Sequence, residues 1–183
     1  IIILAVKPYN FTDIINEIKT TLDPKKHVIV SVITGVWIEQ IQKAIGKPVP
    51  VIRAMPNTAI AIQQSMTCLA HADASPTQVN YIRQLFDQLG KTVMIKEELM
   101  DAATVLGACG TAYAMRYIRA NIQGGIEIGF DAATATLIAS QTVKGAAQLL
   151  LEKGSHPEHE IDKVTTPKGC TIAGLNEMEH QGF

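Results

Sequence analysis

The sequence predicts a doubly wound α/β unit followed by an all-α unit. Two observations predict it. Up to about residue 97, short apolar β-branched runs alternate with amphipathic helical stretches. Beyond it, two long alanine-rich segments follow with almost no β-branched alternation. Strand, helix, strand, helix, strand at such spacing marks an open α/β sheet. The expected division is therefore 1–97 for the α/β part and 98–183 for the helical part.

The elements follow in order. Ile1 to Val6 is a continuously apolar run, as expected of a strand buried on both faces of a parallel sheet, and Lys7-Pro8 ends it. Phe11, Ile14, Ile15 and Ile18 recur at helical spacing, with Thr12-Asp13 as a start signal and Asp23-Pro24 as a break. His27 to Ile33 reads as a second strand, and Ile38, Ile41 and Ile45 mark the next helix. Val49 to Ala54 is a third strand, ended by Met55-Pro56-Asn57. Residues 65–70 and 92–96 are two further strands around a helix from about Thr77 to Leu89, with Ser75-Pro76 opening it and Gly90 closing it. In the second half, helices are expected over about 98–122 and 131–153, separated by Gly124-Gly125 and Gly129, with Asp131 capping the second. Two short helices, about 157–163 and 171–180, complete the chain. The long helices carry apolar residues on more than one side, among them Leu137, Ile138, Val143, Leu149, Leu150 and Leu151. So wide an apolar arc needs burial on several sides, most easily against a second copy of the chain.

Composition excludes several classes of function. Of the 183 residues 47% are hydrophobic and 18% charged, with a formal net charge of −1. That balance is of a folded protein, without the basic stripe that nucleic-acid binding needs. No apolar run approaches the roughly 20 residues that cross a bilayer. Cys68, Cys109 and Cys170 are far apart, which favours a reducing cytoplasm over a disulfide framework. His156 and His159 form the one close histidine pair, with no Cys or carboxylate pattern to complete a metal set, so no metal site is expected. The chain opens inside an apolar run, so residues upstream are expected in the full protein.

Ligands of open α/β sheets bind at the carboxyl ends of the strands. Three segments qualify: Val6-Lys7-Pro8, Thr34-Gly35-Val36, and Arg53-Ala54-Met55-Pro56-Asn57-Thr58. Glycine at position 35 would let a ligand approach the backbone. Read as residues alone, each is also an ordinary strand terminator, and together they reach only a cofactor-binding α/β half. A fourth candidate is Val164-Thr165-Thr166-Pro167-Lys168-Gly169-Cys170-Thr171. It opens a helix with successive N–H groups, where the dipole favours an anion, although a plain Pro-Gly turn with threonine caps reads equally well.

Here the sequence resembles a known family. Ile3-Leu4-Ala5-Val6-Lys7-Pro8, Arg53-Ala54-Met55-Pro56-Asn57-Thr58, Gln141-Thr142-Val143-Lys144-Gly145-Ala146-Ala147 and Val164 to Leu175 are similar in order and spacing to pyrroline-5-carboxylate reductases. The resemblance spans the chain; the Met-Pro-Asn-Thr segment and the threonine-rich loop are its specific parts. It implies a Rossmann-type domain, incomplete at its N-terminus, followed by an all-α dimerisation domain. It also implies NADPH- or NADH-dependent reduction of 1-pyrroline-5-carboxylate to L-proline by a homodimer or larger homo-oligomer. The glycine-rich phosphate loop would lie upstream. By the same resemblance Ala5, Val6, Lys7, Pro8, Thr34, Gly35, Met55, Pro56 and Asn57 border the cofactor. Val164, Thr166, Gly169, Cys170, Thr171 and Asn57 hold the substrate. The amides of Gly169 to Thr171 take its carboxylate, and the Thr171 hydroxyl bonds the ring nitrogen as the catalytic contact.

Two departures stand out. The family's Gly-Ser-Gly-Pro-Ala-Tyr run is here Gly107-Ala108-Cys109-Gly110-Thr111-Ala112-Tyr113, which leaves the polar contacts of that turn open. Its Pro-Gly-Gly-Thr-Thr loop has Lys168 for a glycine and Cys170 for a threonine, so the backbone must suit a non-glycine residue at 168. Two alternatives stand beside the reductase. One is a related imine or hydroxyacid reductase, which would place a catalytic group on a long helix, Asp101 or Lys144 here. The other is a catalytically silent dimeric core.

Overall fold

The computed structural model describes residues 1–183. Its contacts group into two compact units, Ile1–Arg116 and Tyr117–Phe183.

In the first unit β1 (Ile2–Leu4), β2 (Ile29–Ser31), β3 (Val51–Met55), β4 (Ser65–Ala72) and β5 (Gly90–Met94) form one sheet in sequence order. The first two pairings are parallel. β3 and β4 run antiparallel, and β4 and β5 are parallel again. The reversal departs from an all-parallel sheet. Its reason is length: residues 56–64 are too few for a crossover, which takes about a dozen residues or more.

Alternating side chains divide the core between the two faces of the sheet. On one face α1 (Phe11–Ile18) and α2 (Ile38–Ile45) bury Ile15, Ile38, Ile41 and Ile45 against Leu4, Ile29 and Val51. On the other, α3 (Pro76–Asp87) buries Ile82 and Phe86 against Val30, Ile52, Ala54 and Leu69. The α3 start is a reciprocal cap. The Gln78 N–H donates to Ser75 Oγ at 3.2 Å, and the Ser75 N–H donates to Gln78 Oε1 at 2.8 Å.

Gly90 does not close α3, which ends at Asp87; it opens β5 with a φ of +142°. The continuous helix expected over 98–122 is also broken up. A 3₁₀ turn, Glu97–Leu99, leads into α4 (Met100–Ala103), a π-helical stretch over Thr104–Cys109, and then α5 (Gly110–Glu127). Gly124 and Gly125 lie inside α5 rather than after it. A helix tolerates such glycines at about 1 kcal/mol each relative to alanine. At Gly125 there is a packing reason, since a Cβ there would sit 3.1 Å from the Ala135 Cβ. The break falls instead at Gly129, with φ +113°.

The second unit continues with α6 (Ala132–Lys153), α7 (Pro157–Val164) and α8 (Cys170–His180). Asp131 caps α6 as expected, accepting from the N–H groups of Ala133 and Thr134 at 3.0 Å each. The Thr134 hydroxyl and these amides hold its carboxyl below the usual carboxylate range. His156 caps α7 through Nδ1, which accepts from the Glu158 N–H at 3.3 Å. Hydrogen bonds from Lys163 and Ser155 bring the Glu160 carboxyl down to about 2. Leu137, Ile138, Leu149 and Leu151 on α6 all remain exposed, Leu151 to 75%. An apolar groove of about 690 Å³ also runs between Tyr117, Gly124, Ile128, Phe130, Ile138 and Phe183.

Candidate functional site

In the first unit, a cleft of about 430 Å³ opens beyond the carboxyl ends of β1 and β2. Ala5, Val6, Lys7, Pro8, Val32 and Thr34 line it. Its position follows from the sequence. β1 ends at Leu4, earlier than the expected stop at Lys7-Pro8, and Pro8 instead opens a 3₁₀ turn, Pro8–Asn10; beyond β2, Gly35 turns the chain with a φ of +75°. Small Ala5 leaves room between the two strand ends, and Lys7 places a positive charge at the rim. These features suit the anionic, flat portions of a dinucleotide. Gly35, Met55, Pro56 and Asn57 do not line the cleft.

Met55 is instead the buried last residue of β3, packed with Cys68, Ala70 and Met100, and burial pushes the Cys68 thiol up. Arg53 and Ala54 belong to the strand rather than to a loop. Asn57 is held from four sides. Its N–H donates to Ser65 Oγ at 3.1 Å, and its Oδ1 accepts from the Ala59 N–H at 3.1 Å. Its Nδ2 donates to the Gly107 carbonyl at 3.2 Å, and its own carbonyl accepts from the Ile60 N–H at 3.1 Å. Behind it, buried Ser65 shares a 3.2 Å hydrogen bond with buried Thr67. The Gly107 carbonyl lies in the π-helical stretch and also accepts from the Thr111 hydroxyl at 3.4 Å. That contact is what threonine supplies at the position where the resembled pattern has proline.

In the second unit, residues 164–171 join α7 to α8 through a tight turn. The Gly169 N–H donates to the Thr166 carbonyl at 3.0 Å, and Lys168 between them has a φ of +60°. Proline at the second position and positive φ at the third are the requirements of a type II turn, in which the third residue is usually glycine. Gly169 itself is glycine for lack of space, because a Cβ there would stand 2.5 Å from Thr166 Oγ1. As the N-cap of α8 it offers no side-chain acceptor, so the N–H groups of Cys170 and Thr171 have no side-chain cap. The Thr165 hydroxyl is committed to the Ile161 carbonyl at 2.8 Å. Thr166 and Thr171 are the remaining threonines of the loop, the first exposed and the second half-buried, while Val164 and Cys170 are exposed.

Lys168 should therefore carry strain of about 1–2 kcal/mol, which is the left-handed penalty for a residue with a Cβ. Lys168→Gly should raise stability by about 0.5–1 kcal/mol after the extra backbone entropy of glycine is subtracted. Lys168→Ala, which keeps the strain, should not. Denaturant unfolding of the two variants checks this.

Asp101 and Lys144, the alternative helical groups, are both exposed and neither lines the cleft. The sequence pattern alone assigns no role to Glu97, Ser65 or Thr67, and none to Arg53 beyond its place in a motif. Arg53 did carry a signal, as a charge inside an otherwise apolar strand run. Glu97 carried none.

The architecture is thus a Rossmann-type α/β unit with a strand-end cleft, followed by helices. The fold comparisons agree. The structure of a Plasmodium falciparum pyrroline carboxylate reductase with NADP bound matches with a TM-score of 0.90 and 25% identity, over 99% of this chain and 69% of that one. That of the Streptococcus pyogenes 1-pyrroline-5-carboxylate reductase matches with a TM-score of 0.86 and 32% identity, over 98% and 68%. The family described as pyrroline-5-carboxylate reductase dimerisation matches residues 97–183. Among curated relatives, pyrroline-5-carboxylate reductases 1 and 2 of Dictyostelium discoideum are 49% and 44% identical over the whole chain. The Methanosarcina acetivorans enzyme is 34% identical over the whole chain, which covers 68% of its length. The chain belongs to the pyrroline-5-carboxylate reductase family. It spans 35% and 66% of the lengths of the two Dictyostelium proteins.

Proposed function

We propose that this chain belongs to an NAD(P)H-dependent reductase that converts 1-pyrroline-5-carboxylate to L-proline, the last step of proline biosynthesis. The observation that carries the proposal is similarity along the whole chain to relatives named for that activity. The uncapped start of α8 fits the substrate's carboxylate. In this reading residues 1–97 belong to the cofactor domain and 98–183 to a helical domain that dimerises and holds substrate. Ala5, Val6, Lys7, Pro8, Thr34, Gly35, Met55, Pro56 and Asn57 would hold NADPH or NADH, which supplies a hydride when bound. The exposed leucines of α6 and the apolar groove of the second unit would be covered by the same elements of a second copy. No helix is long and apolar enough to cross a membrane, and the three cysteines are free, in keeping with a cytoplasmic enzyme.

The chemistry asks mainly for placement. The free amides at Cys170 and Thr171 bind the carboxylate, while the Gly169 N–H, expected to share in this, is spent on the Thr166 carbonyl; contacts through N–H survive the change from threonine to cysteine at 170. Thr166 borders the ring. The Thr171 hydroxyl orients the imine nitrogen. The loop carries no carboxylate or histidine to donate a proton, so the nitrogen is protonated on arrival or by water. A panel comparing 1-pyrroline-5-carboxylate with small keto and hydroxy acids, followed by nucleotide oxidation in the complete protein, tests the reading. Turnover of the cyclic imine alone is expected. Preference for a keto or hydroxy acid would overturn it.

A further inference from the structure

Arg53 is 1% exposed in the middle of a sheet, an expensive place for a charge. Along β3 it shares a face with Val51 and Met55, between the cluster packed under α1 and α2 and the smaller cluster around Met100. One group answers its charge. Glu97 Oε1 accepts from Arg53 Nη1 at 3.0 Å, while Nη2 is buried without a hydrogen bond. The same Glu97 oxygen accepts from the Ile38 N–H at 2.7 Å. Ile38 is the first residue of α2, where a carboxylate both satisfies a free amide and meets the positive end of the helix. Trp37, just before it, lies with its ring 5.9 Å from the Arg53 guanidinium carbon. The Trp37 backbone N–H donates to Gln40 Oε1 at 2.8 Å.

These contacts tie together three segments distant in sequence: β3, the start of α2, and the turn at Glu97–Leu99. Two of them lead directly to the proposed cofactor residues. The chain entering α2 is Thr34-Gly35-Val36-Trp37, and Thr34 lines the cleft. The chain leaving β3 is Met55-Pro56-Asn57. One end of the 34–37 segment is fixed in the sheet by β2; the other is fixed by Glu97. Releasing the second end would leave Gly35, at φ +75°, as a hinge beside the cleft.

We infer that Glu97, acting through Arg53 and the Ile38 amide, is a positioning residue that sets the cofactor-side loop 34–37. The inference rests on the reductase reading above. It predicts an effect on nucleotide affinity rather than on the chemical step. In the complete enzyme Glu97→Ala should raise the nucleotide Kd and KM by roughly tenfold to a hundredfold, the scale of a misplaced positioning group. The kcat at saturating nucleotide should stay within about twofold, because Asn57 keeps its own bonds to Ser65 and Gly107 and the other proposed imine contacts lie on residues 164–171. Glu97→Gln keeps an acceptor for both donors and should recover most of the loss. Trp37 is the sole tryptophan, so its emission reports on the loop directly, and Glu97→Ala should shift it to the red. Should Glu97→Ala not fold, Glu97→Asp takes its place with the same expected direction, since it keeps the charge but shortens the reach. An unchanged Kd in the folded variant, or a fall in kcat with Kd unchanged, would overturn the inference and leave the reductase reading standing. Failure of the unsubstituted enzyme to bind either nucleotide would overturn both.

Discussion

Gly90→Ala should abolish stable folding of the first unit. A Cβ at Gly90 would lie 2.0 Å from the Ser65 carbonyl oxygen and 2.4 Å from the Ser65 nitrogen. Both are backbone atoms of the neighbouring strand, and Ser65 pairs with Gly90 in the β4–β5 register. No rotamer change can relieve the contact; the strands would have to part. The φ of +142° adds a conformational penalty of its own. Together these exceed the roughly 4 kcal/mol that marks an exceptional substitution, against a total stability of about 5–15 kcal/mol. The loss would reach the site, because Ser65 Oγ holds the Asn57 amide. Gly46→Ala is the control. Gly46 also has a positive φ, +70°, but a Cβ there would meet nothing within 4 Å. It should cost only about 1–2 kcal/mol. Thermal and denaturant unfolding of the two variants compare them, and a Gly90→Ala melt within a few degrees of the parent would refute the packing argument.

The largest effect on turnover is expected at Thr171. Thr171→Ala in the complete enzyme should lower kcat by roughly tenfold to a thousandfold, the range for a lost polar contact to a reacting centre. Thr171 is the second residue of α8, so its backbone is set by the helix and its N–H remains in place after substitution. The variant therefore removes the hydroxyl while leaving the amides proposed to bind the carboxylate. The expected signature is a fall in kcat with a smaller change in the KM for the imine. Thr171→Ser, which keeps the hydroxyl, should retain most of the activity. Unchanged kinetics for Thr171→Ala would remove this residue from the mechanism.

Much of the fold was legible in the residues. Ile38, Ile41 and Ile45 marked α2 at a spacing of three and four, and all three are buried. Ser75-Pro76 and Asp131 announced helix starts that the structure confirms with hydrogen bonds. These signals are local: a cap acts within one turn and a periodicity within one element. The first strand was placed less well: the run 1–6 was expected to be buried on both faces, but β1 is only Ile2–Leu4 at the edge of the sheet, where Leu4 alone is buried and Ile1 and Ile3 stay exposed.

Site residues divided along the same line. Pro8 and Gly35 showed through their backbone constraints, and Ala5, Val6, Lys7, Pro8 and Thr34 converge on one cleft. Gly169 and Lys168 showed through the turn they require. The partners of Asn57 were not visible, since Ser65 and Gly107 are 8 and 50 positions away.

By itself, then, the sequence determined the order of elements, the change from α/β to helical at about residue 97, and the threonine-rich turn before the last helix. Only the tertiary structure decided what stands opposite each group. It decided the reversed β4, the glycines kept inside α5, and the interruption of the long helix by a π stretch. It also joined Arg53 to Glu97, 44 positions later. The physical reason is common to all of them. Propensity and periodicity act over one or two turns of chain, whereas the demands of a buried charge, an open amide or a close backbone approach are met by whatever the fold brings alongside.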